Sequence, residues 1–425
     1  MSDYLFLLEN HLDAAHNRAV EAMQAAATGA GTNVWLTGGA MRDMLRGAPI
    51  RDLDFTVERG AVALGKSLPG ATVLSEDAAG DSVELVVEEG VRVSVANVRT
   101  ESGMIHDDLQ RRDFTINAIA LSLNRGSKGL LIDPTNGQAD IVNKELRTAY
   151  SYAFLDDATR LMRMVRFQYG MGFQPVPRTL TQFENATIDE LEKTIPLEVI
   201  AAEVKRATGA ENVGPVLDGL AEAGILQTLS PSLAGEKRNT EGLAKLEKIA
   251  ESVLPPEQRN TWLAFLAVMT EKLSVRERAD AVKAFGLSKT DAERFKHLDE
   301  GVKTLEAALK SASVKKPSHV YDILEPSAVD EVLLLLHRSS QRVVQDRVRM
   351  YFEKYRYEAQ EVTEEEILAT GVKAGTPKYD KARKTLIAQR LNMKPKVEAE
   401  PEEVVEETPE AVPMVGPSGR GARAK

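Results

Sequence analysis

Cysteine is absent from the chain of 425 residues. Disulfide bonds, thiolate metal sites and cysteine nucleophiles are therefore excluded. No apolar run approaches the ~18 residues that a membrane-spanning helix needs, and the stretch WLAFLAVM (262–269) is typical of a buried helix instead. The first residues also lack the basic segment of a secretory signal. Together with 43% hydrophobic and 28% charged residues, these absences predict a soluble, cytoplasmic protein.

Histidine is scarce, and the six histidines are not spaced as metal ligands. His106 and Asp107 form an H-D dipeptide, but the partner His and Asp of a phosphohydrolase are not evident in the later part of the chain. We therefore expect this dipeptide to be an ordinary loop pair. No Ser-His-Asp or Cys-His arrangement is recognisable either, so we expect chemistry that needs no side-chain nucleophile.

The formal net charge of −10 is unevenly distributed. Seven glutamates lie in the single segment EAEPEEVVEETPE (398–410), so the rest of the chain is close to neutral. A nearly neutral body can carry a basic face on one side. Net charge therefore does not exclude a polyanionic partner such as a nucleic acid.

Short strand-like segments dominate the first part of the chain. An amphipathic helix is predicted over 2–28, with Ser2 as its N-cap, and glycines follow it. The valines at 91, 93 and 95 alternate with polar or small residues, the period of a half-buried strand. The predicted strands are 34–36, 53–57, 83–87, 91–98 and 118–123.

Helical patterns replace strand patterns from about residue 151 onward. The segment DDATRLMRMVRFQYGMGF (156–173) predicts one helix that starts with acidic residues and ends at glycines. We predict an α+β fold, with a mixed β-sheet domain and flanking helices followed by an all-helical body. The predicted domains are 1–150, 151–230 and 231–393, with a disordered Pro- and Glu-rich tail over 394–425.

Asp52 and Asp54 are one residue apart on a predicted strand, so their side chains share one face. Two adjacent carboxylates share a proton or hold a divalent cation, and a pair of Mg²⁺ ions needs such oxygen ligands. Just before them, Gly38 and Gly39 can bring backbone N–H groups close to a phosphate, and Arg42 can add a cationic clamp. Alone, D-x-D is more often a solvated strand end. The order strand, GG turn, helix and D-x-D strand favours a functional site.

These residues resemble a known family. GGAMRDMLRGAPIRDLDF is similar to the first motif of the class II tRNA nucleotidyltransferases and bacterial poly(A) polymerases, GG-x-x-R-D followed by D-x-D. DLQRRDFTINAIAL (108–121) matches their second motif, and 156–173 matches the third, usually written with E-D-x-x-R. Residues 197–226 are similar to the helical neck, and 362–387 carry a weaker likeness.

The resemblance assigns roles to the second motif. It implies that Arg111 and Arg112 stand near a nucleoside triphosphate, and that Asp113 and Asn117 hold the sugar or order the local turn. The alternative is a structural arginine–aspartate pair that supports the sheet. For Asn117, a simple contact with the residue four positions earlier is the stronger alternative.

The third motif would select the base. Cytosine and adenine present an amino donor beside a ring-nitrogen acceptor, and a carboxylate can only accept while a guanidinium can only donate. Asp157 and Arg160, on one helical face, would then accept C or A and reject U and G, at ~1–3 kcal/mol per bidentate pair. Arg163 would meet the phosphates or the base, with Arg166 behind it. The alternative is a surface salt bridge of little consequence.

This chain departs from the family pattern at three places. Ser94 stands where the family often has a third acidic residue. Three interpretations are open: Asp52 and Asp54 suffice to bind the metal, Glu84 or Glu101 replaces the third acid, or activity is impaired. The neck has Glu198 followed by Val199, where the family has an E-R pair. The segment between D-x-D and RRDFT is also shorter than in many relatives.

The resemblance implies a magnesium-dependent, template-independent transfer of CMP and AMP from CTP and ATP to a tRNA 3′ end, with release of pyrophosphate. Residues 151–230 would read the base, and 231–393 would hold the acceptor arm of the tRNA; neither DNA nor a membrane is expected as a partner. Rival readings are a poly(A) polymerase, a CC-only or A-only enzyme, a non-catalytic RNA-binding relative, and a small-molecule nucleotidyltransferase. The basic stripe in 342–358 fits either an RNA contact or a solvated helix face.

Overall fold

A computed structural model describes residues 3–77, 81–209, 212–255, 258–259 and 261–393. The chain divides into two compact units, 1–315 with 319–356, and 316–318 with 357–425. The predicted disordered tail lies outside the described residues, as does Ser2. Across the described ranges, no helix combines the length and apolar character needed to cross a membrane.

A mixed seven-stranded sheet forms the first part of the chain, as predicted. Its order is β3-β4-β5-β2-β1-β6-β7, and its neighbours are antiparallel except for β2 and β5, which are parallel. A separate parallel pair joins β8 to β9. The strands are β1 Val34–Thr37, β2 Asp52–Val57, β3 Thr72–Asp77, β4 Ser82–Val86, β5 Arg92–Asn97, β6 Ala120–Ser122, β7 Leu131–Ile132, β8 Glu145–Leu146 and β9 Gln174–Pro175.

Helices flank this sheet and make up the rest of the described chain. The helices up to residue 234 are α1 Asp3–His11, α2 Ala14–Ala30, α3 Gly38–Leu45, α4 Ala61–Lys66, α5 Ile105–Gln110, α6 Gly137–Asn143, α7 Ala153–Asp156, α8 Arg160–Val165, α9 Pro177–Ile188, α10 Leu197–Ala207, α11 Val213–Glu222, α12 Ile225–Leu229 and α13 Pro231–Ala234. The later ones are α14 Thr240–Val253, α15 Trp262–Met269, α16 Val275–Ala284, α17 Lys289–Lys310, α18 Pro317–Leu324, α19 Val329–Arg338, α20 Arg342–Met350, α21 Arg356–Gln360, α22 Glu364–Leu368 and α23 Pro377–Asn392. The 3₁₀ turns include Glu88–Gly90, Thr115–Asn117 and Leu191–Thr194, and π-helical turns occur at Arg166–Gly170 and Tyr351–Tyr355.

The five predicted strands are confirmed, but the edge strand β3 and the short strands β7, β8 and β9 were not predicted. Every residue of β3 is exposed. A strand without a buried face lacks the alternation of apolar and polar residues that identifies a strand in a sequence.

The prediction of one N-terminal helix is wrong. Two helices are present, because the Asp13 carboxylate accepts the backbone N–H of His16 and so begins α2. A carboxylate in this position satisfies an amide that lacks an intrahelical partner. The helical spacing of apolar residues continues across the break between α1 and α2, so the spacing alone predicts one helix instead of two.

The two faces of β2 have different roles. Leu53, Phe55 and Val57 are almost fully buried and belong to the main core beneath the sheet. Burying one such side chain stabilises the fold by about 1.5–3 kcal/mol. This apolar face anchors the strand, so Asp52 and Asp54 project from the opposite face.

The third motif does not form one continuous helix. The carboxylate of Asp157 accepts the backbone N–H and the hydroxyl of Thr159, and its own backbone is extended. An Asp that bonds to nearby backbone competes with helix formation. The prediction of a helix over 156–173 is therefore wrong in detail: Asp157 precedes α8, and the helix widens into a π-helical turn at Arg166–Gly170.

The apolar core continues from the sheet into the helical body. All eight residues of α15 are buried, and this helix packs against α14 and α19. Trp262 contacts Phe285 edge to face, with 5.0 Å between ring centroids. The prediction that 262–269 is a buried core helix is confirmed.

The second unit contains α22 and α23. Thr363 caps α22 in a reciprocal capping box with Glu366, and Arg390 of α23 donates to the same glutamate at 2.8 Å. Ile367 and Leu391 are buried. This pair of helices therefore forms a small packed element.

Candidate active site

The aspartate pair lies on the open face of the sheet. In the register of the parallel strands, Asp52 is opposite Arg92 and Asp54 is opposite Ser94. Directly opposed residues share a face, so Ser94 stands beside the carboxylate of Asp54. Glu84 is opposite Ser94 on the next strand and shares that face, one strand further out.

The glycine turn fixes one oxygen of Asp54. The backbone N–H of Gly39 donates to Asp54 Oδ2 at 2.8 Å. Gly38 has φ +63°, and a Cβ there would lie 2.9 Å from the same oxygen. Glycine is therefore required at position 38 by both its backbone conformation and the space. We expected the glycine N–H groups to face a phosphate, but in this structure the Gly39 N–H holds the carboxylate.

Both carboxyls have a pKa above the ordinary value for aspartate. Loss of hydration raises the pKa of Asp54, against the Gly39 N–H and Arg112, which act to lower it. The same cause raises the pKa of Asp52, against the positive charges of Arg92 and Arg206. Partly dehydrated, adjacent carboxylates of this kind are stabilised by a bound cation.

The donor set at this face consists of oxygens and fits a hard cation. Asp52 and Asp54 project side by side, and Asp54 Oδ1 has no hydrogen-bond partner among the described residues. Such oxygens suit Mg²⁺, which usually takes one or two carboxylates from the protein and completes its shell with water and phosphate. In the described part of the chain, no cluster of three or more His, Asp or Glu side chains has metal-site geometry.

A chain of polar side chains runs from the glycine helix to α8. Arg42 is buried, pairs with Asp43 at 3.0 Å and donates from Nη1 to Asn117 Oδ1 at 2.8 Å. Asn117 donates to both oxygens of Asp113 at 3.2 Å. Asp113 accepts an ion pair from Arg163 at 2.9 Å. The order Asp43–Arg42–Asn117–Asp113–Arg163, which we call the polar relay, thus connects α3 to α8.

Asp113 is held in its ionised form. Burial by itself would raise its pKa, but Arg163, the Phe114 N–H and the Asn117 amide outweigh that effect and lower the pKa. The Asp113 carboxylate therefore faces Arg163 of α8 as a charged partner. Asn117 does donate to Asp113, four positions earlier, and it also accepts a hydrogen bond from Arg42.

Arg111 and Arg112 point to different places. Arg112 donates to Asp108 Oδ2 at 3.0 Å and to Thr56 Oγ1 at 2.7 Å, on the same strand and face as Asp54. Arg111 is exposed and lines a cavity to which neither Asp52 nor Asp54 contributes. The structure brings Arg112 to the aspartate face and leaves Arg111 apart from it.

Asp157 and Arg160 lie together at the start of α8. Arg160 Nε is 3.6 Å from Asp157 Oδ2, and the carboxylate is partly exposed. The guanidinium donates to the hydroxyl of Tyr150 at 2.9 Å and lies over its ring at 5.6 Å. Tyr150 in turn donates to Asp156 at 2.6 Å. An acceptor and a donor are thus presented side by side, although Asp157 is not helical.

Arg166 belongs to a buried ion pair. Its Nε donates to Glu203 Oε1 at 2.6 Å, and Arg206 donates to Oε2 of the same glutamate at 2.7 Å. Burial lowers the pKa of Arg166. Burial opposes ionisation of Glu203 as well, but Arg166 and Arg206 outweigh it, so the pKa of Glu203 is lowered. Arg166 therefore links the start of the π-helical turn to α10 through its ion pair with Glu203.

Several neighbours of the site were missed by the sequence analysis. The spacing of Asp108 and Arg112, four residues apart on a helical segment, could have predicted their pair. Glu203 stands among the apolar positions of an amphipathic helix, a further usable signal. Nothing in the sequence indicates the contact of Tyr150 with Arg160.

Residues 34–147 match the family described as the poly A polymerase head domain. The CCA-adding enzyme of Marinobacter nauticus is 31% identical over 291 residues, which cover 62% of this chain and 71% of that protein. The chain belongs to the tRNA nucleotidyltransferase and poly(A) polymerase family. The matched segment contains both aspartates and all members of the polar relay except Arg163.

Other members differ in what their names say they add. The A-adding tRNA nucleotidyltransferase of Geobacter sulfurreducens is 25% identical over 84% of this chain, which spans only 43% of that protein. The chain spans about two fifths of the length of the A-adding relatives that it matches. The CC-adding tRNA nucleotidyltransferase of Deinococcus radiodurans is 30% identical, with 61% of this chain and 72% of that protein covered.

Solved structures of the family share the fold. The Thermotoga maritima CCA-adding enzyme complexed with tRNA has a TM-score of 0.54 and 21% identity, with 92% of this chain and 94% of that chain covered. A CCA-adding enzyme with CTP has the same score and identity, over 93% and 96%. At these identities the likeness concerns the fold alone.

Proposed function

We propose that this protein is a template-independent nucleotidyltransferase that extends tRNA 3′ ends with nucleotides from CTP and ATP. The observation that carries the proposal is the polar relay. It couples the turn that holds Asp54 to Arg163, one helical turn after Arg160, so a single nucleotide can lie with its phosphates at the aspartates and its base at α8.

In the proposed reaction, the RNA 3′ oxygen forms a bond to the α-phosphorus of the triphosphate. The bond from that phosphorus to the bridging oxygen breaks, the hydroxyl proton leaves, and pyrophosphate departs. Asp52 and Asp54 would hold Mg²⁺, which when bound activates the hydroxyl and neutralises charge on the phosphates. The Gly39 N–H fixes Asp54 Oδ2, so Oδ1 would be the oxygen of this carboxylate that is available to the cation. The chain's own contribution is mainly positioning.

Base choice would follow from the pair at the start of α8. Asp157 accepts the exocyclic amino group that cytosine and adenine share, and Arg160 donates to the adjacent ring nitrogen. Uracil and guanine present a carbonyl and an N–H in those places. Their carbonyl would face the Asp157 carboxylate, acceptor against acceptor, and their N–H would face the Arg160 guanidinium, donor against donor. Tyr150 and the Ala153 carbonyl hold the Arg160 guanidinium in place before any base arrives.

The activity is tested with tRNA transcripts that end at the discriminator base, after CC, or after a complete CCA, each incubated with Mg²⁺ and CTP, ATP or both. Addition of CCA to the first transcript is the expected result. Long A tails on an oligo(A) primer would indicate a poly(A) polymerase. Asp54→Asn should abolish incorporation, whereas Asp189→Asn, an exposed acid at the end of α9, should not change it.

Partial addition is the second candidate, because relatives of this chain include a CC-adding and several A-adding enzymes. A CC-adding enzyme would extend the first transcript by two residues and ignore ATP. An A-adding enzyme would extend only the transcript that ends in CC. If wild-type protein binds tRNA but incorporates neither nucleotide, and Asp54→Asn binds equally well, the chain is a non-catalytic relative.

A further inference from the structure

A large cavity is lined by Tyr150, the hydrogen-bond partner of Arg160. Its volume is about 1260 Å³, and it lies between α5, the turn at 134–135, the segment 147–152 and the first turn of α9. Four arginines line it, and we call it the arginine cavity. They are Arg99, Arg111, Arg147 and Arg178.

Two of these arginines have no counterion. Among the described residues, the guanidinium groups of Arg99 and Arg111 have neither a hydrogen-bond nor an ion-pair partner. Arg147 is paired with Asp140 and Glu145, and Arg178 donates to the Ser151 hydroxyl. Cations that face one space without partners favour an anionic ligand.

Other groups on the wall restrict the choice of anion. The carboxylates of Glu101, Asp107 and Asp156 also line the cavity, and Asp156 is engaged by Tyr150. The hydroxyl oxygen of Thr135 is buried without a hydrogen-bond partner. A ligand with separated phosphates, and with hydroxyls between them, suits this mixture better than one compact polyanion.

Aromatic side chains complete the wall. Tyr152 is 65% exposed, and Tyr150 lines the cavity while its hydroxyl accepts from Arg160. Exposed aromatic rings among arginines are typical of surfaces that bind single-stranded nucleic acid, since bases stack on the rings and phosphates meet the cations. Through Tyr150 and Asp156 the cavity adjoins the base-selecting pair.

We propose that the arginine cavity binds the single-stranded 3′ end of the RNA acceptor, with Arg99, Arg111 and Arg178 on its phosphates and Tyr152 stacked on a base. The inference rests on the proposed function and places its second substrate. A strand is favoured over a free nucleotide because arginines without partners in the described part of the chain and an exposed aromatic ring line the same cavity, as binding of successive phosphates and bases requires. Placement next to Arg160 would bring the growing end towards the incoming nucleotide.

The test compares the Arg99→Ala/Arg178→Ala double variant and Tyr152→Ala with the wild type. The matched control is Arg125→Ala, an exposed arginine in the turn after β6 that does not line the cavity. Binding of tRNA that lacks CCA is measured by fluorescence anisotropy across a salt series, and binding of CTP by calorimetry. We expect the tRNA Kd of the double variant to rise about tenfold or more. Its salt slope should fall by roughly 1.4, at ~0.7 per phosphate contact on a single strand.

A minihelix acceptor sharpens the result. Loss of affinity should be seen for a minihelix with a four-nucleotide 3′ overhang and not for its blunt counterpart, while the CTP affinity stays unchanged. Equal overhang binding by wild type and double variant would overturn the assignment, as would a loss of CTP binding alone. If the wild type binds no tRNA at all, the proposed function itself fails, and this outcome is distinct from failure of the cavity.

Discussion

The contact between Gly38 and Asp54 gives the sharpest test of the catalytic site. Gly38 has φ +63°, and an alanine Cβ would lie 2.9 Å from Asp54 Oδ2 and 3.4 Å from Asp54 Cβ and Cγ. Gly38→Ala therefore strains the backbone and displaces the carboxylate from the Gly39 N–H. We expect folding and activity to be affected for separate reasons.

The magnitudes follow from the two effects. An L-residue in the left-handed region costs roughly 1–2 kcal/mol. The displacement needed to clear the contact is several tenths of an ångström, and a misplacement of ~1 Å can cost about 10²-fold in rate. We expect the single-turnover rate of CTP incorporation to fall about tenfold to a hundredfold, which corresponds to ~1.4–2.7 kcal/mol of barrier.

Gly47→Ala is the matched control. Gly47 has φ +71°, but nothing lies within 4 Å of a Cβ built there. Urea unfolding should show a similar loss of stability in both variants, and the incorporation rate of Gly47→Ala, measured where each protein is folded, should stay within about twofold of wild type. If the two variants lose activity equally, backbone strain explains the effect and the positioning of Asp54 by the glycine turn does not.

Three further variants test other contacts. Asp54→Asn should lower nucleotide incorporation by at least a hundredfold without weakening tRNA binding. Its affinity for Mn²⁺, measured by electron paramagnetic resonance, should also be lower than that of the wild type. Unchanged Mn²⁺ affinity would contradict the metal assignment. Glu203→Ala leaves Arg166 buried and unpaired, so urea unfolding at pH 7 should show a loss of about 3–5 kcal/mol. The pKa of Glu203 is lower in the folded protein than its value of about 4.3 in the unfolded chain. The ionised carboxylate therefore stabilises the fold fully above about pH 4.3, and this contribution is lost as the pH falls through the folded pKa. The difference in unfolding free energy between the variant and the wild type should therefore be smaller at pH 3 than at pH 7. Tyr150→Phe removes one hydrogen bond to Arg160 and should reduce the discrimination of CTP against UTP about tenfold with little change in tRNA affinity; equal kcat/KM ratios in variant and wild type would show that Tyr150 does not position Arg160.

The sequence predicted the parts of the fold that follow from periodic burial. The strand at 91–98 alternates because one face is in the core, and 262–269 is apolar throughout because α15 is enclosed on all sides. Elements set by single polar contacts were not predictable in the same way. The break at Asp13 and the extended Asp157 each depend on a carboxylate that accepts a nearby backbone N–H, which a hydrophobic period does not record.

For the site, the motifs identified the residues but not their partners. Asp52 and Asp54 share a face, as the strand period requires. Arg42 was expected to clamp a phosphate and Arg166 to stand behind Arg163, yet Arg42 is bound by Asp43 and Asn117, and Arg166 is bound by Glu203. Long side chains reach partners far away in the sequence, so spacing alone cannot say whether an arginine faces a ligand or the protein.

The chemistry of Asn117 limits how this protein can change. Its amide accepts from a guanidinium at one end and donates to a carboxylate at the other, which neither an acid nor a base could do in its place. An aspartate at this position would set two negative groups against each other, and a lysine would oppose Arg42. Substitutions at position 117 are therefore limited to side chains that can both accept and donate a hydrogen bond. A change at Arg42 or Asp113 would require a compensating change in its partners between α3 and α8.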